Sequence, residues 1–122
     1  MRHINTPTIA IARQSLHRTM AGVGWAPSVI FDAQLALCEL LVNAWRHGDT
    51  PAPLVQVIST NGNLHVSVTD QSPILPTTPP LSLLAESGRG LQLVEALTHR
   101  WGVEPHERAK SVWFELELDG AA

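Results

Sequence analysis

The sequence predicts an α+β two-layer sandwich, with helices covering one face of a mostly antiparallel sheet, and three observations carry that reading. Residues 27–47 place apolar side chains at helical spacings of three and four. Residues 54–60 and 64–70 are β-like runs joined by an Asn-Gly pair. A short apolar-periodic helix near residues 89–99 is followed by a strand alternation that ends at Leu118. The order helix, helix, hairpin, loop, helix, strands gathers the helices on one side of a sheet whose neighbours run antiparallel.

The first helix is expected from about Thr8 to Met20, on Ile9, Ala12, Leu16 and Met20, with Ala21-Gly22-Val23-Gly24 as its breaker. The second runs from Pro27 to His47, where Ile30, Ala33, Leu37, Leu41 and Ala44 share a stripe. Pro27 suits a first helical turn and Gly48 suits the stop. In the hairpin, Asn61-Gly62 supplies the positive φ angles of a tight turn. Alternation puts Leu64, Val66 and Val68 on one face, His65, Ser67 and Thr69 on the other, and Asp70 on the apolar side. Four prolines among residues 73–80 mark a loop. A short strand is expected near Trp101 to Glu104. A last one runs from Ser111 to Leu118, with Val112, Phe114, Leu116 and Leu118 facing one way.

A length of 122 residues fits one domain, taken as residues 1–122. The formal charge of −3 offers no electrostatic footprint for nucleic acid or an anionic membrane, so protein or small-molecule partners are expected. Cys38 is the single cysteine, which excludes an intrachain disulfide framework and a thiolate zinc cluster and points to a reducing cytoplasm. The first residues lack a charged segment followed by an apolar stretch, and no window is expected to approach the roughly 20 apolar residues of a membrane span.

Three segments carry chemistry. Glu39, Asn43 and His47 stand at successive i, i+4 positions of the second helix. A carboxylate and an amide one turn apart can act as a proton acceptor and an oxygen ligand of a hard cation such as Mg²⁺; a solvated helix edge gives the same pattern. Asp70, before Gln71-Ser72-Pro73, ends a strand on its buried side. A buried carboxylate requires a donor, and either an adenine amino group or a backbone NH at the loop start meets that need. Gly88-Arg89-Gly90-Leu91 precedes an apolar helix, where glycines allow close backbone approach to phosphates and the helix amino end adds partial positive charge. The segment has neither the lysine of a P-loop nor the preceding strand of a dinucleotide fingerprint.

In this order and spacing the three segments resemble the N, G1 and G2 boxes of the Bergerat (GHKL) ATPases. The resemblance covers about residues 35–118. Gly88 to Leu118, with Trp101-Gly102-Val103 and Lys110-Ser111-Val112-Trp113, is similar to small actinobacterial members related to anti-sigma serine kinases. The resemblance implies ATP and Mg²⁺ as cofactors. Glu39 would activate the attacking hydroxyl, Asn43 would ligate Mg²⁺, and Asp70 would accept from the adenine amino group. Gly88, Arg89, Gly90 and Leu91 would line the phosphates with His47 on the same side, and Ser111 would support adenine through water. Two features depart from the family pattern. Ser72 stands where the wider superfamily has glycine, beside the base edge, and the stretch Gln71 to Ser87 is short and proline-rich for a mobile lid.

The reading is an ATP/Mg²⁺-binding protein serine kinase that phosphorylates an anti-sigma antagonist and also sequesters a sigma factor, with a homodimer compatible with it. The alternative is a nucleotide-binding regulatory module that controls its partner by binding alone. Other residues favour plain packing: the six histidines lack metal-binding spacing, Cys38 reads as a small packed residue, and the four tryptophans read as core or interface anchors.

Overall fold

The computed structural model describes residues 2–5, 9–47, 53–70, 90–107 and 109–117. In chain order these form β1 (Arg2–Asn5), α1 (Ile9–Gly22), α2 (Pro27–His47), β2 (Leu54–Thr60), β3 (Asn63–Asp70), α3 (Gly90–Leu97), β4 (Arg100–Pro105) and β5 (Lys110–Glu117). The expected Gly48 stop, the proline-rich loop and Leu118 lie outside the described residues.

Each helix has a local cause. α1 buries Ala12, Leu16 and Met20, one residue per turn, and ends where Val23 N and Trp25 N both donate to the Met20 carbonyl. Gly24, at φ 91°, takes the left-handed conformation that this exit requires. Ala26 starts α2: its carbonyl accepts from Val29 N and Ile30 N, while Pro27 occupies a position whose missing NH would have had no partner. Thr98 ends α3 by donating its hydroxyl to the Val94 carbonyl at 2.7 Å.

All strand pairs are antiparallel, in the order β1-β2-β3-β5-β4. Asn61 and Gly62 form the two-residue turn between Thr60 and Asn63, with Gly62 at φ 80°. β1 is an addition to the expected fold. Four residues without apolar alternation give no strand signal of their own, and pairing with β2 makes Arg2–Asn5 the sheet edge.

The helices pack on the face that carries Val55, Val57, Leu64, Val66, Val68, Val112, Phe114 and Leu116. α2 lies between α1 and α3 and against β3, and its apolar face is the centre of the core. Residues 27–45 reach a mean hydropathy of 1.3, enough by length and composition to cross a membrane, which corrects the expectation that no window comes near that limit. Here that hydropathy follows from burial between two helices and a sheet.

The other face of the sheet is polar and organised around Trp113. Its indole stacks on His65, with centroids 5.4 Å apart and an interplanar angle of 23°. Gly102, opposite Trp113 in the β4–β5 register, lets the ring lie flat. A Cβ at Gly102 would sit 2.8 Å from Trp113 Cζ2 and 3.0 Å from Cε2. Glu115 accepts from His65 Nδ1 at 2.8 Å and from Arg100 Nε at 2.9 Å. Those two donors, His65 first, hold the Glu115 carboxyl below the usual carboxylate range in spite of its partial burial.

Two outcomes test this face. Gly102→Ala should destabilise the fold by about 1–3 kcal/mol by pushing the indole aside. The cost should shrink when Trp113→Leu is added, which a double-mutant cycle in urea would measure. Glu115 is lowered on folding, so its stabilisation is complete above the ordinary carboxylate range and lost as pH falls through its folded value. Glu115→Gln should therefore cost under about 1 kcal/mol near neutrality and still less at acid pH, read from paired denaturation curves.

Candidate functional site

Asn43 stands on the side of α2 that also carries Ala36 and Leu40, so packing the helix buries it, to 3% exposure. Among the described residues none donates a hydrogen bond to its Oδ1. An unsatisfied buried carbonyl oxygen costs about 1–3 kcal/mol, a cost that a cation or donor ligand would remove. Glu39, one turn earlier, is half-buried, so its carboxylate stays within reach of solvent. Among the described residues no group of three or more His, Cys, Asp or Glu gathers around a metal position. A hard cation on Asn43 would complete its shell with water and phosphate oxygens, the habit of Mg²⁺. The residues present therefore fit a nucleotide-bridged Mg²⁺. His47 is the last residue of α2.

Asp70 ends β3 on the helix-facing side, as its parity predicts, and is 2% exposed. It pairs directly with Lys110, the first residue of β5, and Lys110 Nζ lies 2.6 Å from Asp70 Oδ2. Lys110 is itself 4% exposed. One partner of Asp70 is thus a buried ammonium. Sequence reasoning missed Lys110 as a site residue although the signal was present: it stands two positions before Val112 and so shares the apolar face with Val112, Phe114 and Leu116.

Ser111 takes the opposite parity. Its hydroxyl shares a hydrogen bond with Thr69 Oγ1 at 2.7 Å and meets His106 Nε2 at 2.9 Å, both on the outer side of the sheet. The structure does not bring Ser111 and the Asp70 carboxylate to one face; Lys110 occupies the place beside Asp70. Gly90 opens α3, where the first amides of the helix have no intrahelical acceptor. Leu91 is 1% exposed, so its side chain belongs to the core and only its backbone can face a ligand. Ser72, Gly88 and Arg89 lie outside the described residues. Because α2 packs against both α3 and β3, the elements that carry Glu39, Asn43, Asp70 and Gly90 are neighbours.

Cys38 is half-buried, and burial pushes its thiol up, more than the opposing charge of Arg13 lowers it. Arg13 is a nearby cation that the sequence did not reveal, yet desolvation dominates and the thiol is not an activated nucleophile.

Comparison with known proteins adds three findings. The family model for the histidine kinase-like ATPase domain matches residues 5–115. An uncharacterised protein of Streptomyces coelicolor is 40% identical over 65 residues, which are 52% of this chain and 62% of that relative, so the chain spans less than two thirds of its length. Among solved structures, the RsbU and RsbW domains of a Mycobacterium tuberculosis protein superpose at TM-score 0.71 and 22% identity, over 95% of this chain and 32% of that one. The SiaB–SiaC complex of Pseudomonas aeruginosa does so at 0.64 and 15%, over 95% and 89%. At these identities the structural likeness establishes the shared α+β fold.

The buried ion pair gives a stability test. Lys110→Met strands the Asp70 carboxylate and should cost about 3–5 kcal/mol, whereas Asp70→Asn combined with Lys110→Met should recover part of the loss. Urea midpoints of the two variants measure the difference; equal stability would show that the pair is solvated.

Proposed function

Because the chain belongs to the histidine kinase-like ATPase domain family, we propose that it is a Mg²⁺-ATP-dependent protein serine kinase of the anti-sigma-factor type. Its substrate is an antagonist protein, and it sequesters a sigma factor when that antagonist is modified. Cytoplasmic action as a homodimer is part of the same reading. The observation that carries it is the buried Asn43 Oδ1 on α2, without a hydrogen-bond partner among the described residues and one turn from Glu39.

In this reading Asn43 would hold Mg²⁺, which would supply neutralisation of the phosphate charge. Asp70 accepts from the adenine amino group. The amides that open α3 face the phosphates, where the helix end adds partial positive charge. Glu39 takes the proton of the attacking serine hydroxyl, which bonds to the γ-phosphorus as the bond to the ADP oxygen breaks and ADP leaves with that electron pair. Phosphoryl transfer depends on positioning and charge neutralisation more than on covalent help, which suits so small a residue set. A protein partner accords with the SiaB–SiaC complex among the structural neighbours.

The test combines calorimetry with labelled-phosphate transfer to a partner captured from the native host. The wild-type chain should bind ATP more tightly with Mg²⁺ than with a chelator, and Asn43→Ala should abolish that difference while leaving the fold intact. Glu39→Ala should keep ATP binding and lower transfer by about 10²–10⁴-fold. A wild-type chain that binds ATP and its partner but transfers no label would replace kinase activity with regulation by binding alone.

A further inference from the structure

Lys110 is the only lysine in the chain, and the fold places it inside. Surface lysines are the rule because a strongly hydrated ammonium is costly to bury. This one is held beside Asp70 by the β3–β5 register, with Nζ 2.6 Å from Oδ2 and both side chains almost wholly covered.

We propose that Lys110 is a specificity-determining residue at the base end of the nucleotide site: it donates a hydrogen bond to adenine N1 while Asp70 accepts one from the 6-amino group. The inference rests on the ATP-binding reading of Asp70 and adds a second recognition element to it. The chemistry of the base edge matches the pair. The 6-amino nitrogen, a donor, and N1, an acceptor, are attached to the same ring carbon, so they lie side by side and call for an acceptor beside a donor. A carboxylate only accepts and an ammonium only donates, and the two stand adjacent at one strand position. A carboxylate has two oxygens and about four acceptor positions, more than a single lysine fills. Guanine presents the reverse order, an acceptor at position 6 and a donor at position 1. A pair held in one orientation by strand register therefore distinguishes the two purines, which a carboxylate alone does less well.

The measurement is calorimetry of the full chain in Mg²⁺ with ATP and with 1-deaza-ATP, whose N1 is replaced by CH and which differs from ATP at no other atom of the base edge. Wild-type protein should bind 1-deaza-ATP about tenfold or more weakly, the loss expected when a charged donor is left unmatched. Lys110→Met should bind the two nucleotides alike. Lys110→Arg, which keeps the charge and a donor, should restore discrimination. If Lys110→Met fails to fold, the wild-type comparison and Lys110→Arg decide the matter. Wild-type protein that binds ATP and 1-deaza-ATP equally would overturn the role of Lys110 and leave ATP binding standing. Discrimination that survives in folded Lys110→Met would overturn it too, since another group would then read N1. A wild-type chain that binds neither nucleotide would overturn both this inference and the nucleotide-binding reading beneath it.

Discussion

The register between β3 and β5 is the constraint on which the rest of the molecule depends. Eight consecutive pairs, from Asn63 with Glu117 to Asp70 with Lys110, set which side chains enter the core and which meet solvent. Because the side-chain period of a strand is two, a slip of one residue would expose Val112, Phe114 and Leu116 and turn Trp113 and Glu115 inward. The hydrophobic content of that face makes such a slip prohibitive. The same register leaves Lys110 no position except beside Asp70. A buried ion pair at the end of two central strands is therefore a by-product of core formation, placed by the register that the apolar face fixes.

Much of this architecture is legible from periodicity. The stripe on α2, the Asn61-Gly62 turn and the alternation of β3 and β5 are each written locally, and the structure follows them to within two residues or so at the ends. β1 was not legible, since a four-residue edge strand is defined by its partner and has no pattern of its own. The site is a more instructive case. Parity placed Asp70 correctly on the buried side, and the same argument applied to β5 would have placed Lys110 there and Ser111 opposite. Resemblance directed attention to the hydroxyl, whereas alternation in the sequence already pointed to the lysine. Leu91 shows the reverse difficulty: a residue next to a glycine-rich turn is also the first apolar residue of a helix, and its burial shows that packing claims its side chain.

α2 carries a second tension. Its length and apolar character make it the core helix, yet it holds Asn43 within that core with a carbonyl oxygen that has no partner among the described residues. Leucine or alanine there would satisfy packing without an unsatisfied polar atom, and stability alone favours either. A polar atom held at a stability cost on a buried core helix suits a ligand site: the oxygen is presented by a packed element and does not have to be ordered when the ligand arrives. Trp113 over Gly102 shows the opposite economy, with a glycine giving up side-chain contacts so that a large ring can lie flat.

The charges at the two ends of the proposed nucleotide site are arranged differently, and the difference bears on what holds the ligand. At the base end Asp70 and Lys110 cancel, so that end selects by hydrogen-bond pattern and adds no net attraction. At the phosphate end the described residues supply the amide dipoles that open α3 and the neutral oxygen of Asn43, on a chain whose formal charge is −3. Helix-end dipoles are worth only fractions of an elementary charge, and a triphosphate carries several. On the proposed function a bound cation would add to the affinity at that end, while identity would be read at the other. On the proposed function the two ends act on separate quantities: the ion-pair end decides which base is accepted, and the Asn43 end decides how tightly any accepted nucleotide is held.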